Sequence, residues 1–258
     1  MADIYPFRGV TYSREKVGDI SLVATQPYDK IDPSMQKTYH ERHPYNIARI
    51  IKGLDEPGDN EEENRYSRAA RYYGLWRKEG ILQRATRPAI YPYYQTFTVE
   101  GAPERLRRGF IALGRLVEFG EGVRPHERTL AGPKADRLRL LRATRANFGQ
   151  IFMLYSDPES RVEQILSSHT QGPPMLEARD DYGVLHQVWE VTDEAAIRAV
   201  QAVMKPLEVF IADGHHRYEV ALSFRDEMRA KGVRSHGEET PERRMMTFIN
   251  MEDKGLTI

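Results

Sequence analysis

The sequence has no cysteine. Disulfides, thiolate metal ligands and a cysteine nucleophile are therefore excluded together, and a reducing compartment is expected. Excess charge of one sign is also lacking. Lys and Arg total 38, and Asp and Glu total 38, so the chain has neither a basic tail nor the net positive field of a general nucleic-acid binder. No apolar run approaches the ~20 residues of a membrane span. The N-terminus, "MADIYPFRGV", lacks the basic, apolar and small-residue layout of a signal peptide. A soluble cytoplasmic protein with no membrane or nucleic-acid partner is expected. No internal repeat is visible. The 258 residues are 40% hydrophobic, enough for a packed core in one large domain or two modest ones.

Strand and helix signals alternate along the chain. "DEPGDNEEENR" (55–65) reads as a solvated acidic loop leading into a helix. "RYSRAARYYGLWRKEG" follows, with Tyr66, Ala69, Tyr73 and Trp76 three or four apart. This predicts an amphipathic helix with an aromatic core stripe, stopped by Gly80. "PAIYPYYQTFTV" (88–99) and "RGFIALGRLVEF" (108–119) predict paired strands across Gly101, Ala102 and Pro103. "KADRLRLLRATRANF" predicts a basic helix with Leu138, Leu141 and Arg145 in the period. "QIFMLYS" (150–156) predicts a short buried strand, and "PMLEARDDYGVLHQVWEV" a hairpin turning at Asp181 and Gly183. "TDEAAIRAVQAVM" (192–204) predicts a helix capped by Thr192 or Asp193. "RRMMTFINME" (243–252) predicts a last strand. This mixture indicates an α+β (mixed α/β) fold rather than a doubly wound sheet. A division is expected between an N-terminal α/β segment (1–107) and a catalytic core (108–258). Because "KGLTI" follows a strand directly, the chain is expected to be the N-terminal portion of a longer protein.

The most informative stretch is "VFIADGHHRYEVALSF" (209–224), a strand running through Asp213-Gly214 into a helix that begins near His215 and carries Ala221, Phe224 and Met228 on one face. The first N–H groups of a helix lack internal partners and sit at its positive end, so an anion binds there readily. Gly214 permits unusual backbone angles and close approach of a ligand. His215, His216 and Arg217 add donors, and Asp213 can hold Mg²⁺ beside phosphates. Two other readings stay open. Asp213 is also a natural N-cap, and the histidines are possible metal ligands, although adjacent helical residues diverge by roughly 100°. The i,i+4 spacing of helical zinc sites is absent.

A second constellation lies in "FGEGVRPHERTLAGPKADRL" (119–138). His126 and Arg128 flank Glu127, an arrangement that can aim an ionised carboxylate as a general base; an exposed loop with a local ion pair is the alternative. Lys134, Arg137, Arg142 and Arg145 follow, facing either phosphate or solvent. Asp29 in "QPYDKI" is a further carboxylate or a turn residue.

Together, "PHE" (125–127) and "DGHHR" (213–217) resemble the motifs of free L-serine kinases of the ParB/sulfiredoxin fold. The resemblance implies a ParB/sulfiredoxin-like nucleotide-binding core with inserted and N-terminal elements. It implies Glu127 as catalytic base, Asp213 as catalytic or magnesium-binding carboxylate, and Gly214, His215, His216 and Arg217 as phosphate cradle, with Arg128 and Thr129 beside the nucleotide. The whole chain also resembles a broad, poorly characterised prokaryotic family, through "PFRGV" (6–10), "QPYDKI" (26–31), "PHERTLAGPKADRL" (125–138) and "IADGHHRYEVAL" (211–222). Its members usually run well past residue 258. Glu127 and Asp213 lie 86 positions apart, further than in compact ParB-like domains. Sulfiredoxin chemistry is excluded by the lack of cysteine, and a DNA clamp by the neutral charge and missing helix-turn-helix signal.

The expected activity is phosphoryl transfer from ATP or ADP, with Mg²⁺, to a small alcohol such as the serine hydroxyl. Two alternatives remain: a nucleotide-binding regulatory switch that hydrolyses slowly or not at all, and a metal-dependent hydrolase that uses the histidines.

Overall fold

Continuous apolar runs, not alternating ones, mark the centre of the sheet. In the strand that holds Phe110, Ile111, Ala112 and Leu113, all four side chains are buried, as a strand covered on both faces requires. The computed structural model describes residues 2–99, 101, 103–125, 131–233 and 237–256, with Ala131 and Pro133 described for their backbone alone. In chain order the elements are β1 (Ile4–Tyr5), β2 (Val10–Tyr12), α1 (Arg14–Val17), two 3-10 turns (Ile20–Leu22 and Tyr28–Lys30), α2 (Pro33–Arg42), α3 (Ala48–Ile51), α4 (Arg65–Lys78), β3 (Leu82–Arg84), β4 (Tyr91–Phe97), β5 (Arg105–Arg115), β6 (Val123–Arg124), α5 (Ala131–Thr144), β7 (Ile151–Tyr155), α6 (Arg161–Ser167), β8 (Leu176–Arg179), β9 (Leu185–Val188), α7 (Glu194–Met204), β10 (Val209–Asp213), α8 (His215–Ala230) and β11 (Arg243–Asn250).

The fold is mixed α+β. Among the described residues, nine strands form one sheet in the order β6-β10-β7-β11-β5-β4-β9-β8, and β1 pairs with β5 beyond the end of β4. The β6–β10 and β7–β11 pairs are parallel and the others antiparallel. β2 and β3 form a separate ribbon. Phe110, Met153, Ile211 and Phe248 of the sheet pack with Ile197, Val200 and Met204 of α7 and Tyr218, Ala221 and Leu222 of α8. Each such side chain contributes roughly 1.5–3 kcal/mol. A second cluster joins Val23, Ile50, Ala69, Trp76 and Leu82 to Leu140 of α5, docking the N-terminal helices on the sheet's helical layer. The expected division after residue 107 falls inside β5, and the large sheet takes strands from both sides of it.

Local chemistry explains the boundaries. Asn64 accepts from the Tyr66 and Ser67 amides and Ser67 Oγ accepts from the Asn64 amide, a capping box that starts α4. Its aromatic stripe is core, with Ala69 and Trp76 buried. The acidic stretch before it is mostly exposed, as expected, with Asp59 drawn in to grip Arg68 through both oxygens; Arg68 holds the Asp59 carboxyl down at about 2. α7 is capped by Asp193, which accepts from the Ala195 amide at 2.7 Å. In the β8–β9 hairpin the organising acid is Asp180, which accepts from the Tyr182 and Val184 amides; Asp181 turns away to Arg42 and Tyr39. Arg145, expected in the helical period, lies just past α5 at φ 53°.

Candidate functional site

Four elements bring the site to one end of the sheet. β6 and β10 run parallel and end there; β7 and β11 begin there, because β10 and β7 are antiparallel and β7 and β11 parallel. Ligands of sheets with parallel strands collect outside the carboxyl ends of those strands. The β10–α8 turn stands at this end. Gly214 is the N-cap of α8 at φ 97°, and as a glycine it brings no side chain to cap the helix. A Cβ at Gly214 would meet the Arg217 guanidinium at 3.0–3.1 Å, so both the backbone angle and the close approach call for glycine.

The structure sends the residues of this turn in different directions. Asp213 is exposed at the strand end and makes no cap; its Oδ2 accepts from Arg217 Nη2. His215 is 2% exposed and belongs to the interior. His216, one residue on, lines a cleft. Arg217 is buried too, and its Nη1 donates to the Gln150 carbonyl. The roughly 100° step between adjacent helical residues separates the two histidines. Among the described residues no group of three His, Asp or Glu side chains is placed to hold a metal ion.

Glu127, Arg128 and Thr129 lie outside the described residues, as do His126 and Leu130. The residues before and after them are placed. Val123 and Arg124 pair in parallel with Val209 and Phe210 of β10. α5 packs on α8, and Lys134 Nζ donates to Glu219 Oε2 at 2.7 Å. Both flanks of the Pro-His-Glu segment are therefore tied to the two elements that flank Asp213-Gly214.

The cleft encloses about 510 Å³ between the N-terminal helices, the start of α5 and His216, a volume in the range of small-molecule sites. Tyr28, Asp29, Lys52 and Arg65 line it from the N-terminal elements, and Asp136 and Arg137 from α5. Asp136 is a hub. It accepts from Arg65 Nη2 at 2.9 Å, from the Tyr66 hydroxyl at 2.8 Å and from Arg137 Nε at 2.7 Å. Burial alone would raise its pKa, but the Arg137 charge, these hydrogen bonds and Arg65 hold it below the ordinary carboxylate range. Arg137 lies over the Tyr28 ring at 3.9 Å from its centroid.

Arg244, at the start of β11, was not among the expected site residues. With Arg137 and Arg217 it lines a small hollow under the cleft. Burial first, then the charges of Arg217 and Arg137, push its pKa down to about 9. Strand parity was the available signal, since Arg244 has the parity of Met246 and Phe248, which are core.

A family model for a protein of unknown function, DUF1015, matches residues 4–258. The chain belongs to the DUF1015 family. No curated protein and no solved structure matches it. Among the described residues no helix of this DUF1015 chain is long and apolar enough to cross a membrane.

Proposed function

We propose that the protein is a nucleotide-dependent phosphotransferase, on a core related to the ParB/sulfiredoxin fold, that moves a phosphoryl group from ATP or ADP to a small alcohol, free L-serine first among them. The observation that carries this reading is the first turn of α8, which starts at a glycine N-cap without a side chain and carries His216 to the 510 Å³ cleft. The positive end of a 16-residue helix behind a glycine turn suits the terminal phosphates of a nucleotide. His216 reaches the cleft from the same turn and supplies a donor to the same group.

Asp213 suits Mg²⁺. Its carboxylate is exposed and only Oδ2 is engaged by Arg217, and Mg²⁺ needs one or two carboxylates beside water and phosphate oxygens. The ion supplies charge neutralisation at the phosphates when bound. Arg217 fixes the Asp213 carboxylate from behind. In this reading Glu127 takes the proton of the attacking hydroxyl, and Asp29, exposed on the N-terminal wall of the cleft, is available to the acceptor's ammonium. Catalysis then rests on positioning and charge, as phosphoryl transfer allows.

The test is incubation with ATP or ADP, Mg²⁺ and a panel of amino acids, reading phosphoserine by mass spectrometry. Glu127→Gln is expected to lower turnover at least ~100-fold, the usual scale of a general base, with nucleotide affinity retained. Arg217→Ala is expected to weaken nucleotide binding. Near-normal turnover by Glu127→Gln would remove the base from the scheme. Nucleotide binding without transfer to any alcohol would assign a regulatory binding module instead.

A further inference from the structure

Three guanidinium groups, from Arg137 of α5, Arg217 of α8 and Arg244 of β11, line one hollow with Leu140, Leu141 and Val220. Two of them have carboxylate partners, Asp136 for Arg137 and Asp213 for Arg217. Arg244 pairs with no carboxylate among the described residues. Its Nη1 donates to the Asn147 side-chain oxygen and its Nη2 to the Gly149 carbonyl at 3.4 Å. Its Nε is buried with no hydrogen-bond partner, in a residue only 6% exposed. A buried cation without a counter-charge is strongly unfavourable, and so is a buried donor without an acceptor. One uncompensated cation and two paired ones around a single space, behind the positive end of α8, leave that space electropositive.

Size decides what enters. The hollow encloses about 20 Å³, room for one atom of the size of a water oxygen and too little for a whole phosphate. Arg137 and Leu140 line both the hollow and the 510 Å³ cleft. An anion whose body lies in the cleft can therefore place a single oxygen among the arginines.

We propose that Arg137, Arg217 and Arg244 form an oxyanion subsite at the closed end of the cleft, which receives one oxygen of a phosphoryl or carboxylate group. The subsite rests on the reading above only for which molecule carries that group. The phosphoryl source is the nucleotide and the carboxylate source is the acceptor amino acid.

Thermal unfolding of the full chain and of Arg244→Met tests this, at matched ionic strength, with phosphate, pyrophosphate, ADP, L-serine or chloride. The native chain is expected to gain about 5 °C with an oxyanion at a hundredfold excess over its Kd. Arg244→Met is expected to melt higher than the native chain without ligand, because a buried unpaired cation is gone, and to lose the oxyanion shift. A shift from phosphate, pyrophosphate or ADP assigns the phosphoryl group; one from L-serine alone assigns the carboxylate. An undiminished shift in Arg244→Met overturns the proposal, as does no shift of the native chain with any oxyanion, or an equal shift with chloride. Arg244→Lys covers the case in which Arg244→Met does not fold. It keeps a charge but loses the fork, and is expected to bind the oxyanion at least tenfold more weakly; unchanged affinity overturns the proposal. Phosphoserine formation is read separately, so loss of the kinase reading leaves the binding result standing.

Discussion

Two strand-to-helix junctions in this fold carry the same pair of residues four apart and use it in opposite senses. Between β7 and α6 the pair is Asp157 and Arg161; between β10 and α8 it is Asp213 and Arg217. Asp157 is wholly buried. Its Oδ2 accepts from the Arg161 and Val162 amides at 2.7 and 3.3 Å, and its Oδ1 from Arg161 Nε at 2.8 Å, while the Arg161 side chain stays 45% exposed. At the other junction the arginine is inside, with 9% of its side chain exposed, and the aspartate is outside at 55%. The N-cap of α8 is a glycine, which offers its first N–H groups no side chain. A buried acid thus closes the positive end of α6. At α8 the glycine cap brings no acid to the positive end and the buried arginine sets a second positive charge behind it, an arrangement that favours an incoming anion. Because β7 and β10 are antiparallel, the closed junction and the open one lie at opposite ends of the sheet.

Replacing the acid at each junction gives the largest contrast. Asp157→Ala strands two helix N–H groups and removes the cap, so a loss of about 3 kcal/mol is expected. Asp213→Ala removes a half-exposed carboxylate that water replaces, and the expected loss is about 1 kcal/mol; transfer activity is expected to fall instead. Urea unfolding of both variants reads the difference. Equal losses would mean that Asp213 serves the fold as Asp157 does, and the contrast between a closed and an open junction would go.

What the sequence revealed follows the same physics. β5, β11, α4 and α7 were legible because they are long enough to show a period or a continuous apolar run. β1, β2, β3 and β6 are two or three residues each and have no period to read. α2 buries only Tyr39 among ten mostly polar residues, so its amphipathic signal is weak, although Asp32 before Pro33 is a readable cap and N1 pair. At the site, the glycine turn at 213–217 and the possible carboxylate Asp29 could be read locally. The inward direction of Arg217 could not, since it depends on the Gln150 carbonyl, 67 positions away. The Asp136 hub escaped for the same reason: Arg65 comes to it from 71 positions upstream. Arg244 was readable only after β11 had been given its register against the core.

The capping positions sharpen the comparison at smaller scale, because both are left-handed. Ser160 before α6 has φ 51° and Gly214 before α8 has φ 97°. Gly214→Ser forces a side chain into that conformation and against the Arg217 guanidinium, with an expected loss of about 2 kcal/mol and weaker nucleotide binding. Ser160→Gly relieves a conformation that serine tolerates poorly and is expected to gain about 0.5 kcal/mol. Differential scanning calorimetry of the pair measures both signs. A neutral Gly214→Ser would show that the open junction has room that its geometry denies.

The smallest effect belongs to the exposed arginine. Arg161→Ala removes one partner of Asp157 and leaves the two amides that cap through it. An i,i+4 pair with one end in solvent is worth about 0.5 kcal/mol, and the loss is expected to shrink further at high salt. Urea unfolding at low and high ionic strength checks it. A loss well above that value, unchanged by salt, would mean that Asp157 needs its arginine as a buried counter-charge. The two junctions would then be variants of one ion pair rather than a closed helix end and an open one.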